Sequence, residues 1–479
     1  MNIHSVGVAR TPRTLPLALA VALALSGCAS MAPTYQRPAA PVAAAFPDAG
    51  ASSANSASGA AAQIGWQNFF ADTRLNQLIN LSLVNNRDLR VAILNIEQAR
   101  AAYQIRRADA LPTVNLAASG SRTPGANDSI VSVYQVGLGV SAFELDLFGR
   151  VRSLSDVALA QFLATQEAKS SAQISLISSV ANTYLSLLAD DELLELTRQT
   201  LAGREESLRL IQLKYDNGVL SKLDLQQGVS LVETARVVLA QQLRQRAQDA
   251  NLLVQLVGQP LPATLPASRT LAQTELAELP AGLPSDLLAT RPDIRAAEQQ
   301  LIAANANIGA ARANFFPRIA LTASAGSASG ELSGLFKGGS FGWTFAPQAI
   351  LPIFDYGRNK ATLASARVGN DIAVANYDKA IQVAFREVAD GLAGQATYAE
   401  QLRAQRGVAT AEADRFNLSD LRYKSGASSY LELLDAQRAL FDAQRAAIQA
   451  NLLRLQNQVT LYRVLGGGWS TTAQPTAQR

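Results

Sequence analysis

Cysteine and histidine, which carry much of the chemistry of enzymes and metal sites, occur once each among the 479 residues of this chain. Both lie near its beginning, as His4 and Cys28. Structural zinc needs several such ligands, and general acid–base catalysis most often uses an imidazole. The chain also contains no G-x-x-x-x-G-K-[ST] loop that would hold a phosphate. We therefore expect neither enzyme activity nor a metal site.

Cys28 ends a segment with the features of a bacterial lipoprotein leader. Two arginines precede the apolar run 15–25, which is too short to span a bilayer stably. Leu25-Ser26-Gly27-Cys28 matches the lipobox, in which the cysteine thiol receives a diacylglycerol and becomes the mature N-terminus. Ala29 follows, in place of the aspartate that commonly retains lipoproteins at the inner membrane. We predict a signal peptide over 1–27 and an outer-membrane lipid anchor on Cys28, with no other cofactor.

Glu432 and Asp435 are the acidic pair whose spacing and position point to a function. Residues three apart lie on one face of a helix, and this pair follows soon after a break at Ser425-Gly426. Taken alone, the spacing of this pair favours an ordinary solvated helix face. Its role depends on the elements that position it.

Those elements occur twice along the chain, with an offset of 205 to 209 residues. Six landmarks recur in the same order, and a period this long indicates two similar halves rather than a solenoid. The pairs are Asp88–Arg90 with Asp293–Arg295, Leu111-Pro112 with Phe316-Pro317, Asp146–Arg150 with Asp355–Arg358, Lys214–Gly218 with Arg422–Gly426, Leu223–Leu225 with Leu431–Leu433, and Val257-Gly258 with Leu465-Gly466.

Each half begins with a helical stretch that ends at a proline, followed by two segments in which apolar residues alternate with small or polar ones. This period of two indicates strands. In the second half it includes Phe341, Trp343 and Phe345. An apolar face opposite a polar one fits transmembrane barrel strands, whose signal per strand is weak, and fits the hairpin of a soluble sandwich equally well.

Long helical stretches follow the strands, within two proline-free regions at 125–259 and 353–474. Apolar residues spaced three and four apart predict helices of about 65 residues, each about 100 Å long. Glycines at Gly218 and Gly426 fit helix C-caps where the chain reverses into a return helix. Four strands cannot close a transmembrane barrel, and lipid does not tolerate open sheet edges, so copies of the chain must combine their strands. Three copies give twelve strands, the simplest arrangement with room for a pore.

With these halves in place, the chain resembles the TolC-like outer membrane factor family, in its lipoprotein branch of OprM/NodT type that serves resistance–nodulation–division (RND) efflux pumps. The resemblance covers about Trp66 to Gly468. The stretches that carry it are Leu287–Glu298 (LLATRPDIRAAE), Ile308–Pro317 (IGAARANFFP), Phe143–Arg150 (FELDLFGR) and Tyr423–Arg438 (YKSGASSYLELLDAQR). It implies a mainly α-helical fold with a transmembrane β-part. Two tandem repeats of strand–strand–long helix–turn–helix would trimerise into a 12-stranded β-barrel on a periplasmic α-helical barrel.

The resemblance also implies a function, as the outer-membrane channel of a tripartite efflux system for small molecules such as drugs or toxic organics. The implied partners are two further copies of the chain, a periplasmic adaptor protein, an inner-membrane RND-type pump and outer-membrane lipid. A net charge of only +4, without a basic stripe, gives no reason to expect a nucleic-acid partner. Three alternatives stay open: a periplasmic adaptor lipoprotein, a type I protein-secretion duct, and a carboxylate enzyme on a helical scaffold.

The resemblance gives the acidic pair a role. Glu432 and Asp435 match acidic positions that face the lumen at the narrowest point of the pore. Threefold symmetry would gather six carboxylates there, and such a ring is the usual device for cation selectivity.

Other matching positions lie at the two hairpin tips. Gly218 and Gly426 match the turns whose grooves receive the adaptor hairpin. Asp224 and Tyr423 match residues that tie neighbouring tip helices together when the pore is shut. Ser428 departs from the pattern, because the best-studied member of the family has a basic residue at this place. We therefore expect the closed-state latch to differ in detail.

The predicted organisation follows from these elements. It comprises a lipoprotein signal peptide at 1–27, an acylated N-terminus and flexible tether at 28–65, a first repeat at 66–258 (strands about 112–147, hairpin about 149–257), an equatorial segment between the repeats at 259–285, a second repeat at 286–468 (strands about 317–355, hairpin about 358–465) and a C-terminal tail at 469–479.

Overall fold

The structure is a computed structural model that describes residues 30–43, 46, 64–125, 130–277, 279 and 284–468. The predicted leader, Cys28 and the predicted tail lie outside the described residues. The chain divides into two compact units. The sheet unit comprises Met1–Ala39, Ile96–Thr165 and Ala296–Tyr377, and the hairpin unit comprises Ala40–Asn95, Gln166–Arg295 and Asp378–Arg479.

Both halves of the chain contribute two strands followed by two long helices. The first half contains α1 (Trp66–Phe69), α2 (Thr73–Asn85), α3 (Arg87–Ala108), β1 (Val114–Pro124), β2 (Ile130–Leu145), α4 (Arg150–Asp216) and α5 (Lys222–Val257). The second half contains α6 (Pro284–Thr290), α7 (Pro292–Ala313), β3 (Arg318–Ser329), β4 (Phe341–Ile350), α8 (Arg358–Lys424) and α9 (Tyr430–Val464). The predicted order of strand, strand, long helix, turn and helix in two tandem repeats is confirmed.

The four strands of the sheet unit form one antiparallel sheet in the order β1-β2-β3-β4. Because paired residues point to the same side, the register separates the side chains by polarity. One face carries the row Leu116, Leu138, Ala325 and Trp343, and the other face carries the row Asn115, Gly139, Ser324 and Thr344. The sheet therefore has one apolar face and one face of small and polar residues.

The apolar face of this sheet is exposed. Leu116 is 74% exposed, Trp343 73% and Phe341 70%. A sandwich hairpin buries its apolar face against a second sheet, whereas a transmembrane strand turns it toward lipid. The exposure favours the transmembrane alternative that the sequence left open.

The two halves of the chain join between β2 and β3, where Gly137 lies opposite Gly326. A Cβ atom at Gly137 would lie 2.5 Å from the carbonyl oxygen of Ala325, and one at Gly326 would collide with the carbonyl oxygen of Val136. Glycine is required on both sides because the two backbones approach too closely for any side chain.

The hairpin unit has a packed interior away from the turns. The Phe69 ring stacks on Tyr462, with centroids 4.1 Å apart, and Arg291 forms ion pairs with Asp293 and Glu387. Helix α4 includes an 18-residue window apolar enough to cross a membrane, but 67% of that window is buried within the protein. Such burial is typical of a core helix, so this window is not read as a membrane span.

The segment before the first repeat forms hydrogen bonds to α7. Arg37 donates two hydrogen bonds of 2.7 Å to the carboxylate of Glu298 on α7, and Tyr35 Oη donates a third at 3.1 Å. These residues belong to the predicted acylated N-terminus and tether at 28–65, whose flexibility stays a prediction. Ordering them is favoured because a bidentate arginine–carboxylate pair is among the stronger hydrogen-bonded contacts.

Candidate functional site: the two hairpin tips

The two long hairpins reverse at Gly218 and Gly426 with nearly the same backbone geometry. Both glycines have positive φ, 73° and 77°. Their N–H groups donate to the carbonyl oxygens of Tyr215 and Tyr423 at 2.9 and 3.0 Å, and the next residue of each turn donates five residues back at 2.8 Å. This pair of bonds is the Schellman C-cap, which glycine adopts without strain. The glycine turns are present as expected, whereas their role in receiving an adaptor stays a prediction.

Directly beside the turns, the helices pack around a small apolar group of side chains, here called the tip core. The tip core consists of Ile211, Leu225, Leu231, Tyr430, Leu433 and Leu434. Tyr430 lies 5.5 Å from Tyr423, measured between ring centroids. Burial raises the pKa of Tyr430, and the nearby Tyr423 and Asp224 add to the rise. Tyr430 therefore remains neutral and acts as a packing residue between the two hairpins.

The predicted latch residues, Asp224 and Tyr423, bind other partners. Asp224 Oδ2 accepts hydrogen bonds from Ser221 N at 3.1 Å and Ser221 Oγ at 2.7 Å, which completes a capping box at the start of α5. Tyr423 Oη accepts a hydrogen bond from Lys214 Nζ at 3.3 Å, and the ammonium lies 4.8 Å from the tyrosine ring centroid. Within the described part of the chain, Asp224 and Tyr423 are not hydrogen-bonded to each other. The connection between hairpins at Tyr423 is made by Lys214.

The predicted constriction residues, Glu432 and Asp435, each have an arginine partner. Their side chains are 41% and 63% exposed. Asp435 pairs with Arg415 on α8, and Glu432 pairs with Arg422 at 3.7 Å. The acidic face of α9 is therefore neutralised by basic residues of α8 within the same hairpin.

The sequence did not single out Arg415, Arg422 or Lys214. Arg422 and Lys214 occupy the same place in the two halves, four residues before the tip glycine, and that repetition was the signal available for both. Arg415 offered no comparable signal, because it lies 20 residues from its partner. Ser428, where the family has a basic residue, has a buried Oγ without a hydrogen-bond partner among the described residues. The positive charges of this tip come from α8 instead.

A second acidic pair lies along the first hairpin, away from its tip. Asp190 is 6% exposed. Burial raises its pKa to about 7, with Asp249 on the returning helix as the next largest cause. The corresponding positions of the second hairpin, 208 residues further on, are Tyr398 and Asn457. The two hairpins therefore differ in acidity as well as in tip charge.

Known proteins are similar in sequence to both halves of the chain. A family model described as outer membrane efflux protein matches residues 78–259 and 283–467. The toluene efflux pump outer membrane protein TtgC of Pseudomonas putida is 50% identical over 461 residues, which cover 95% of this chain and 95% of that protein. The antibiotic efflux pump outer membrane protein ArpC of Pseudomonas putida matches with the same identity and coverage.

A solved channel shares the fold. The open state of the MtrE outer membrane channel of Neisseria gonorrhoeae matches with a TM-score of 0.86 at 40% identity, covering 93% of this chain and 100% of that chain. These likenesses confirm the expected fold class and the outer-membrane location, and they exclude the adaptor and enzyme alternatives. The matches along both halves and the identity of 50% leave one conclusion: the chain belongs to the outer membrane efflux protein family.

Proposed function

We propose that the chain is the outer-membrane channel of a tripartite efflux pump for small organic molecules. It would act as a homotrimer with a periplasmic adaptor and an inner-membrane RND-type pump. The observation that carries the proposal is the open four-stranded sheet, whose apolar face is exposed and whose outer strands β1 and β4 each have a single neighbour among the described strands. Three copies supply the twelve strands that a pore needs.

Small organic molecules are favoured as cargo by the relatives. Those that are 50% identical are named for toluene and antibiotic efflux. Such names weigh against the type I protein-secretion alternative. The experiment that tests the proposal is conductance of the purified protein in planar bilayers, with chemical crosslinking to determine the number of chains. A protein that crosslinks as a trimer and forms channels is expected; a monomer without channel activity would refute the proposal.

Cys28 carries the lipid in this proposal. Its support is the lipobox and the leader that precedes it. Because the barrel itself would span the membrane, Cys28→Ser is expected to abolish labelling by radioactive palmitate without preventing insertion into the outer membrane. Palmitate labelling that persists in this variant would rule the anchor out.

Glu432 and Asp435 form the pore constriction in this proposal, Gly218 and Gly426 shape the adaptor grooves, and Asp224 and Tyr423 are the closed-state latch residues. Of these two, Tyr423 contacts Lys214 of the other hairpin, whereas Asp224 caps its own helix. Since α8 arginines pair with both carboxylates, the acidic ring becomes fully available to ions only when these pairs separate.

Replacing both constriction carboxylates, as Glu432→Gln with Asp435→Asn, tests the acidic ring. The double variant is expected to lower the preference for cations in reversal-potential measurements, because six carboxylates per trimer would be lost. Glu206→Gln is the matched control, since it removes an exposed, arginine-paired carboxylate of α4. Equal cation preference in the double variant and the control would refute the hypothesis that an acidic ring selects cations.

A further inference from the structure

A cleft of about 450 Å³ lies between α4, α5 and α9 in the hairpin unit. It shares Leu231 with the tip core and lies further along the helices from the turns. Three arginines line it, Arg204, Arg438 and Arg445, whereas Asp442 is its single acidic residue. The cleft therefore carries an excess of positive charge.

Arg204 is the most deeply placed of these arginines, at 5% exposed. Its Nη1 donates to the carbonyl oxygen of Leu231 at 3.2 Å, while its Nε has no hydrogen-bond partner among the described residues. Burial lowers the pKa of Arg204, and the nearby Asp442 partly opposes this effect. A buried charge without a close counter-charge is costly, so this guanidinium is suited to receive an anion.

The other two arginines are also available. Arg445 has a buried Nε without a partner, and Arg438 makes no hydrogen bond or ion pair among the described residues. The guanidinium carbons of Arg204 and Arg445 lie 5.3 and 5.5 Å from the ring centroid of Phe441. The lining thus combines donors for an anionic group with an aromatic ring that lies beside two of them.

We propose that this cleft binds a small organic anion, an aromatic carboxylate or sulfonate. The anionic group lies against the arginines, whose planar forks match such groups in bidentate fashion, and the ring of the ligand packs near Phe441. The volume falls within the range of small-molecule sites. That such anions are among the exported compounds rests on the proposed function, whereas their binding does not.

The test is isothermal titration of naphthalene-1,5-disulfonate into the purified full-length protein. The double variant Arg438→Gln with Arg445→Gln is expected to weaken binding at least about tenfold, because two charge-assisted contacts are lost. Asp442→Asn is expected to strengthen it about threefold, since it removes the one repelling carboxylate. Arg209→Gln is the matched control, an exposed arginine of α4 outside the cleft, and it should bind as the unaltered protein does.

Absence of binding to the unaltered protein, equal affinity of the double variant, or equal affinity for a naphthalene that carries two ammonium groups would each overturn the proposal. Conductance of the same preparation in planar bilayers separates the two proposals. Channels without probe binding would remove this site and leave the proposed function intact. Probe binding without channels would support the site and contradict the function.

Discussion

At the first hairpin tip, the carboxylate of Asp224 turns back on Ser221 and caps its own helix, with the oxygens 2.7 Å apart. At the second tip, Ser429 Oγ accepts only the backbone N–H of Glu432, at 3.4 Å, and the Glu432 side chain pairs with Arg422 on the neighbouring helix. The two acids occupy the same place in the repeat. The chain therefore reverses at the same place in both repeats, but the two acids make different contacts. Asp224 caps its own helix, whereas Glu432 pairs with the other helix of its hairpin.

This difference assigns the two tips different tasks. A capped helix is stabilised locally, and its stability does not depend on the position of its neighbour. Ion pairs between helices are lost when the helices separate, so the pairing of Glu432 with Arg422 makes the second tip sensitive to opening. Exposed pairs are individually weak, but a trimer would contain every pair three times, and small differences add when all copies open together.

The largest effect is expected from removing the arginines of the second tip. Arg415→Gln with Arg422→Gln leaves the carboxylates of α9 without their partners, so they repel one another and favour the open state. We expect the open probability in planar bilayers to rise about tenfold or more. The control is Arg209→Gln with Arg236→Gln, which breaks exposed pairs of the first hairpin. An equal open probability in both double variants would show that the second tip is not the gate.

The pH dependence of stability should distinguish the two hairpins next. Because the pKa of Asp190 is raised to about 7, the folded protein holds a proton there that the unfolded chain has lost above pH of about 4. Stability is therefore expected to fall as pH rises toward 7 and to level off above it. Asp190→Asn should flatten this decline in thermal unfolding curves, and Tyr398→Phe, at the corresponding place of the second hairpin, should leave it unchanged. A decline that survives Asp190→Asn would refute the assignment.

A smaller and local effect is expected from removing the cap of the first tip. Asp224→Ala abolishes the capping box and should cost about 1 kcal/mol at the start of α5. Hydrogen exchange of the backbone amides there should accelerate about fivefold. Glu432→Ala is the matched change in the second repeat and should leave exchange at the start of α9 nearly unaltered. Equal acceleration in both would mean that the two acids have the same role.

The smallest effect is expected at the contact between Lys214 and Tyr423. An exposed cation–π contact contributes about 0.5–1 kcal/mol, so Lys214→Gln should raise the open probability only about two- to fivefold per contact. Lys222→Gln, a neighbouring exposed lysine outside this contact, is the control. An increase in open probability as large as that of the arginine variant would indicate that the first tip controls opening.

The sequence predicted the tip turns because glycine at a helix end carries a conformational signal of its own, and the repeat supplied it twice. The capping box of Ser221 and Asp224 has the spacing of a known pattern, but it was not predicted. The pairing of Arg415 with Asp435 was not readable, because it depends on the register of two helices that approach each other only in the folded hairpin. The contact of Arg37 with Glu298 joins residues 261 positions apart, and no local pattern encodes it.

The sheet shows the same limit in another form. Alternation at Trp343 and its neighbours established strands, but the period of two is identical for a sandwich and for a barrel. Only the exposure of the apolar face, which is a property of the folded chain, distinguishes them.

The facing glycines of β2 and β3 have a consequence for how the two halves can diverge. Gly137 and Gly326 come from different copies of the repeat, yet each must stay without a side chain because of the backbone of the other. A mutation in one copy cannot be relieved by a smaller residue in the other, since none exists. Unlike the tips, which differ in charge, this seam requires glycine in both copies. The two halves can therefore differ at their tips but must share one residue type at their junction.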